Sequence, residues 1–332
     1  MKIDWLPVSL FLVSGVVVLK EYVSWRSEKK KNDETFAAYL ATEPSDSLWY
    51  GCGSVQIPTA DEKGKLIYYG YELISNTAHY LGPSGKVAQI SNGMNCQNCH
   101  LQGGTIPFGN NFGKVFATYP QFRPRCNQVQ QICDRVTDCF ERSLNGKAPA
   151  RDSREMKAIC AYIKWLGNDV PAGTKPRGTS IMKLSYLDRA ALPDAGREVY
   201  MNKCSSCHGN DGRGVVAVNG NGYTYPPLWG EHSYNDGAGL HRLSNFAGFV
   251  MNNMPLGTTW HKPVLTVEEA WDVAAFVNTQ PRPHRDQGSD WKDIAKKPVD
   301  FPYGPYADTF SERQHKYGPF TAIKAARQQQ VK

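Results

Sequence analysis

Two five-residue stretches carry the chemistry: Cys96-Gln97-Asn98-Cys99-His100 and Cys204-Ser205-Ser206-Cys207-His208. Both are C-x-x-C-H. At this spacing two thiols add to the two vinyl groups of one porphyrin, and the adjacent imidazole reaches the iron. A redox dithiol or half of a zinc site also uses C-x-x-C. Two copies in one chain, each inside a domain-sized segment, favour haem. The chain therefore reads as a dihaem c-type cytochrome with two covalently bound haem c groups. Cys96, Cys99, Cys204 and Cys207 attach the porphyrins, and His100 and His208 are the proximal iron ligands.

Elements that could position two such sites fit the length. The chain has 332 residues, enough for two domains and a tail. With 41% apolar and 21% charged residues, it is neither disordered, nor fibrous, nor a polytopic membrane protein. Lys+Arg 38 against Asp+Glu 31 leaves +7, without a dense basic patch interleaved with aromatics, so nucleic acid is not an expected partner. Haem propionates would draw that charge back toward neutral.

Haem attachment of this kind takes place outside the cytoplasm, so the chain needs an export signal. Lys2 precedes an apolar run at 5–19, broken only by Pro7, Ser9, Ser14 and Gly15. No small-x-small cleavage site follows. Residues 1–25 are read as an uncleaved signal-anchor in preference to a cleaved signal peptide. That predicts a periplasmic protein with a membrane tether in the inner membrane.

The two haem segments can be superposed as sequence. Residues 155–163 and 269–277 both place apolar residues at i, i+3, i+4 and i+7, the pattern of an amphipathic helix. Gly196 and Tyr200 lie in a short helical pattern before the second haem, and Gly70 and Ile74 take the same part before the first. Helix, C-x-x-C-H, loop, helix resembles a class I cytochrome c in both halves. The expected fold class is all-α, with two such domains in tandem. Domain 1 spans 26–170 and domain 2 spans 171–280, with a Pro/Gly/Ser-rich linker at 167–180. Residues 281–332, rich in Pro and aromatics, are expected to form an extended segment over the body.

In such a module the second iron ligand comes from the loop before the last helix. In domain 2 that loop offers Met254, followed by Pro255, with Met251 as runner-up. Aligning Ala161 with Ala275 sets Met254 opposite Phe140, the neighbour of Cys139. Domain 1 thus offers a thiol where domain 2 offers a thioether. A Cys139 disulfide, Met156 or His79 are the competing readings at haem 1. Five cysteines remain outside the haem motifs: Cys52, Cys126, Cys133, Cys139 and Cys160. That odd number allows two disulfides and one free thiol in an oxidising compartment.

A thioether raises a haem potential, and an anionic thiolate should lower it. Sulfur on the iron suits a substrate that is itself sulfur. Arg123, Arg125, Arg135 and Arg142 surround Cys139 in sequence, and Arg135, Cys139 and Ser143 share one helical face. Arginine forks suit tetrahedral oxyanions. A solvated basic surface paired with Asp134, Asp138 and Glu141 is the bland alternative.

The segment Cys139-Phe140-Glu141-Arg142-Ser143-Leu144-Asn145-Gly146 resembles the haem-ligand segment of the dihaem thiosulfate dehydrogenases, which also act as tetrathionate reductases. Residues 297–308 and 314–320 resemble that family's tail, and 69–74 with 80–83 its approach to haem 1. The resemblance covers 45–320. It implies His/Cys ligation by His100 and Cys139 at haem 1 and His/Met ligation by His208 and Met254 at haem 2. It also implies a pocket lined by Arg125, Arg135 and Ser143. Where some relatives carry a lysine before the ligating methionine, this chain has Asn253, which cannot replace it as an amine ligand. The expected activity is interconversion of thiosulfate and tetrathionate, with a cytochrome or quinone-linked carrier as redox partner. The alternatives are a tethered dihaem electron carrier without substrate chemistry, and a dihaem subunit of a thiosulfate-carrier sulfur-oxidation complex.

Overall fold

Asp61 starts the first long helix, its carboxylate accepting from the Gly64 N–H at 2.7 Å. Helix α1 (Glu62–Ser75) follows, then α2 (Ile132–Arg142) and α3 (Arg154–Leu166). Gln131 and Asp134 box the start of α2, and Ser153 caps α3. The second half repeats the plan with α4 (Pro193–Lys203), α5 (Leu243–Asn253) and α6 (Val267–Thr279), the last opened by a Thr266/Glu269 capping box. The computed structural model describes residues 48–49, 57 and 59–330. The apolar run at 5–19, the expected tether and Cys52 lie outside the described residues. Among the described residues no helix is long and apolar enough to cross a membrane.

The two halves are built on the same helix crossing. In the first, α1 packs on α3 at Gly70, where an added Cβ would lie 2.0 Å from the Ala158 carbonyl oxygen. In the second, α4 packs on α6 at Gly196, where it would lie 1.9 Å from that of Asp272. Glycine is required at both because the backbones nearly touch. One turn later Ile74 and Tyr200 are buried in the two cores, as the repeat predicts. Burying side chains such as Leu73, Phe140, Ile159 and Trp271 contributes about 1.5–3 kcal/mol each.

The all-α expectation holds for this frame and is amended by two small antiparallel ribbons. β1 (Gln121–Arg123) pairs with β2 (Gln128–Gln130), and β3 (Val215–Val216) with β4 (Tyr223–Tyr225). The linker is tied down. The Gly178 carbonyl accepts from Phe108 N–H at 2.7 Å and from Asn111 Nδ2 at 2.6 Å. The halves are joined by direct hydrogen bonds: Asn235 Nδ2 donates to Glu141 O at 2.8 Å and to Asn145 Oδ1 at 2.9 Å.

The tail departs from expectation. It is extended only to Ser311, apart from one turn at Ile294–Lys296, and then forms α7 (Glu312–Tyr317) and α8 (Phe320–Gln330). Ser311 caps α7 by accepting from Gln314 N–H. Phe320 and Ile323 are buried, with the Phe320 ring against Tyr186 and Trp271. Two apolar anchors are too short a stripe to register as periodicity, yet they fasten the tail to domain 2.

Candidate active site

His100 follows a single turn at Cys96–Asn98. Its Nδ1 faces the Asn110 carbonyl oxygen at 2.5 Å. A carbonyl only accepts, so Nδ1 carries the proton and Nε2 keeps a lone pair for a metal. Burial lowers the His100 pKa to about 4, which keeps the ring neutral. Phe112 stacks on it at 4.4 Å. Domain 2 repeats the device: His208 Nδ1 faces Pro226 O at 2.8 Å, and burial again lowers the imidazole's proton affinity.

Cys96, Cys99 and His100 share a cavity of about 300 Å³ with Arg135, Cys139 and Ser143. Apolar side chains from α1, α2 and α3 complete the wall, including Ile74, Val136, Phe140 and Ile159. A c-type haem fits this donor set: two thiols, an oriented neutral imidazole, an apolar slot, and a sulfur on a second element. Cys139 is a free thiol, because the disulfide of this region joins Cys133 to Cys160. Met156 is buried among the core residues of α3, and His79 packs edge-on against Tyr80 at 4.9 Å. Neither lines the cavity.

The face predicted for α2 is real: Arg135, Cys139 and Ser143 all reach one wall. Arg135 Nη1 donates to Cys139 Sγ at 3.1 Å. Negative charge at Cys139 raises the proton affinity of Arg135 above the ordinary guanidinium range. Arg125 takes a different place. Its Nη1 donates to Gly237 O at 3.0 Å, and its Nε lies 3.9 Å from Asp290. Burial, then the charges of Arg142 and Arg135, lower its pKa to about 9. Arg142 also turns to the tail, donating to Asp290 at 2.8 Å.

Of the two methionines expected as ligands in domain 2, Met254 is the residue that ends α5, half-buried, whereas Met251 lies inside the helix at 2% exposure. Asn253 is held by Phe249 O at 2.8 Å and Phe108 O at 3.3 Å. α2 and α5 are each 11 residues long. Counted from their ends, Met254 matches Ser143, and Cys139 stands one turn earlier, opposite Val250. The final-helix alignment placed Met254 opposite Phe140. The two counts differ by three residues: the loop 254–266 is two residues longer than 143–153, and α6 starts one residue earlier than α3 when Ala161 is paired with Ala275.

Residues 193–281 match the family profile "Cytochrome c", and residues 86–172 match "SoxA/TsdA, cytochrome c domain". The chain is 32% identical over 261 residues to the thiosulfate dehydrogenase of Stutzerimonas stutzeri, covering 79% of this chain and 82% of that protein. It is 38% identical over 224 residues to that of Allochromatium vinosum, covering 66% and 79%. The chain belongs to the thiosulfate dehydrogenase family. A solved thiosulfate dehydrogenase (TsdBA) from Marichromatium purpuratum matches with a TM-score of 0.66 at 27% identity, covering 81% of this chain and 55% of that one. With both C-x-x-C-H motifs inside matched cytochrome domains, this family member carries two covalently bound haem c groups.

The cavity of this thiosulfate dehydrogenase relative also has a wall that sequence reasoning did not assign. Lys114, Arg123, Ser180 and Ile181 line it, as do Gly239, Leu240 and Asn245 from domain 2. Arg123 stood in the arginine cluster by spacing. Lys114 and Ser180 reach the wall only because the backbone path brings a short turn and the linker there.

Proposed function

We propose that this chain joins two thiosulfate ions into tetrathionate, or runs the reverse, at the haem 1 cavity. Written forward, 2 S₂O₃²⁻ gives S₄O₆²⁻ and two electrons. One S–S bond forms between the sulfane sulfurs, and no proton is exchanged. Bound haem supplies a one-electron acceptor at each centre. His100 and Cys139 would hold the first iron, and His208 and Met254 the second. A long thioether suits the end of α5, whereas a short thiol must stand a turn earlier, inside α2.

The hydrogen bond from Arg135 to Cys139 carries this reading, because it fixes a sulfur and a cation together beside His100. Arg135 orients the thiolate and offers its other donors to a sulfonate. Ser143, on the same wall, adds a hydroxyl donor. Arg125 contributes positive charge beside Arg135 while tied to Gly237. A thiolate at the first centre and a thioether at the second set a low potential before a higher one. Electrons then leave toward a cytochrome or quinone-linked carrier. The division into domains at 26–170, 171–280 and 281–332 belongs to the same proposal. So does a periplasmic location with 1–25 as the inner-membrane tether.

The test is a steady-state assay of the holoprotein with thiosulfate and ferricyanide, paired with low-temperature EPR of the oxidised form. Tetrathionate formation together with one His/Cys and one His/Met low-spin signal is the expected result. Two His/Met signals and no turnover would leave only an electron carrier.

A further inference from the structure

Each turnover must bring two dianions together, and Arg135 beside Cys139 supplies only part of the positive charge this requires. Like charges at bonding distance repel strongly in a cavity of low dielectric. The same wall holds Lys114, Arg123 and Ser180. They come from separate places: Lys114 from the turn before the helix Val115–Thr118, Arg123 from the end of β1, and Ser180 from the linker. Half-buried Lys114 has its proton affinity lowered by burial and then by the charges of Lys175, Lys183 and Arg123. Cations gathered this way repel one another until an anion joins them.

Ser180 gives an independent sign. Its Oγ is buried with no partner among the described residues. Its backbone is held at φ 77°, in the left-handed region that residues with a Cβ rarely adopt. An unsatisfied hydroxyl on a strained residue at a cavity wall marks a ligand-facing position.

We propose that Lys114, Arg123 and Ser180 form a second oxyanion subsite, which holds the second thiosulfate, or the far sulfonate of tetrathionate, while the first lies at Arg135 and Cys139. The subsite rests on the functional reading above and adds no bond-making step to it. It offsets the second dianion and aims its sulfane sulfur at the first. Lys175 and Lys183, both exposed, extend the positive field toward solvent and draw the substrate in.

The test compares the wild-type holoenzyme with K114Q, R123Q and S180A. Three measurements are made: steady-state tetrathionate formation over a range of thiosulfate, the dependence of kcat/KM on ionic strength, and the haem 1 midpoint potential. Loss of one charged hydrogen bond to an anion should raise KM about tenfold or more in K114Q and R123Q, and less in S180A. The haem 1 potential should not move. K175Q/K183Q should flatten the ionic-strength dependence of kcat/KM. Unchanged KM in K114Q and R123Q overturns the subsite. A shifted potential at unchanged KM also overturns it, assigning these cations to the porphyrin propionates instead. A wild type that forms no tetrathionate fails the functional reading itself, and the subsite falls with it. An active wild type with variants of unchanged KM fails the subsite alone.

Discussion

Arg135 and Cys139 stand one turn apart on α2 and are joined by a 3.1 Å hydrogen bond from Nη1 to Sγ. Both ends of that bond face the cavity that holds Cys96, Cys99 and His100. Cys139→Met keeps a sulfur but discards its charge. The haem 1 potential should rise, since a thioether stabilises ferrous iron where a thiolate stabilises ferric, and most turnover should vanish. Redox titration and the ferricyanide assay measure the two effects. A C139M protein with the wild-type rate defeats the proposed role.

Arg135→Lys tests the other end. Lysine keeps the charge but loses the planar fork that can serve a thiolate and a sulfonate together. Losing such a charge-assisted contact should cost about 10–100-fold in kcat/KM. Its haem 1 spectrum should remain that of a thiolate-ligated iron. A spectrum that changes to another ligand set would mean Arg135 serves chiefly to hold Cys139 in place.

Met254→Gly removes the thioether at the end of α5. Reduction of haem 1 by thiosulfate in a single turnover should survive, whereas steady-state transfer to the acceptor should slow. Stopped-flow absorbance separates the two phases. Unchanged acceptor kinetics would transfer the ligand role to Met251 or another group.

What the sequence made legible was local. The C-x-x-C-H motifs, the helical patterns around Gly70 and Gly196 and the Arg135–Cys139–Ser143 face each depend on spacing within a few turns of chain. The structure forms α1 and α4 where those patterns lie and brings the three side chains to one cavity wall. The close crossings at the two glycines show only in three dimensions. The partners of Arg125 and Arg142 were not legible, because Gly237 and Asp290 lie more than a hundred residues away in sequence. The Cys133–Cys160 pair could not be singled out from five candidates by spacing. Asn110, which orients His100 through its backbone carbonyl, leaves no trace in residue type at all. Helix α8 escaped because Phe320 and Ile323 are its main anchors.

The helix crossings give a paired test of the repeat. Gly70→Ala and Gly196→Ala each force a methyl into a carbonyl oxygen, at 2.0 and 1.9 Å. Such overpacking should cost about 1–3 kcal/mol or more. Gly304→Ala, at an exposed position where the new Cβ meets nothing closer than 3.6 Å, is the neutral control. Thermal unfolding of the holoprotein reads the difference. Equal midpoints for all three would show that the helices can slide apart at no cost.

The Cys133–Cys160 disulfide closes a 27-residue separation between α2 and α3. Constraining that loop in the unfolded chain is worth about 3.5 kcal/mol. The double variant C133A/C160A should lose stability of that order in denaturant unfolding, with the haems still attached. No loss would place the stability of α2 entirely in its packing.

Asp300 predicts how the tail's grip depends on pH. Its carboxylate is fully buried and accepts from Arg242 Nε at 3.0 Å, Arg242 Nη2 at 2.5 Å, and Ser244 N–H and Oγ. Burial alone would raise its pKa, but Arg242 and the Ser244 bonds outweigh it and hold the carboxyl below the ordinary aspartate range. In the unfolded chain the same group takes a proton near pH ~4, so the unfolded state binds the proton first. The stabilisation is therefore complete above that pH and is lost as acid drives the folded carboxyl toward its own lower pKa. Asp308, held low by His315 and Arg327 against its own burial, contributes in the same direction. Asp300→Asn should lower stability at pH 7 by about 3–5 kcal/mol, because Arg242 loses its buried partner. It should also flatten, without abolishing, the fall between about pH 5 and 3. Unfolding curves across that range decide the matter. An acid slope identical to wild type would mean that Asp300 binds its proton equally well in the folded and unfolded chain, so that Arg242 and Ser244 do not hold it low.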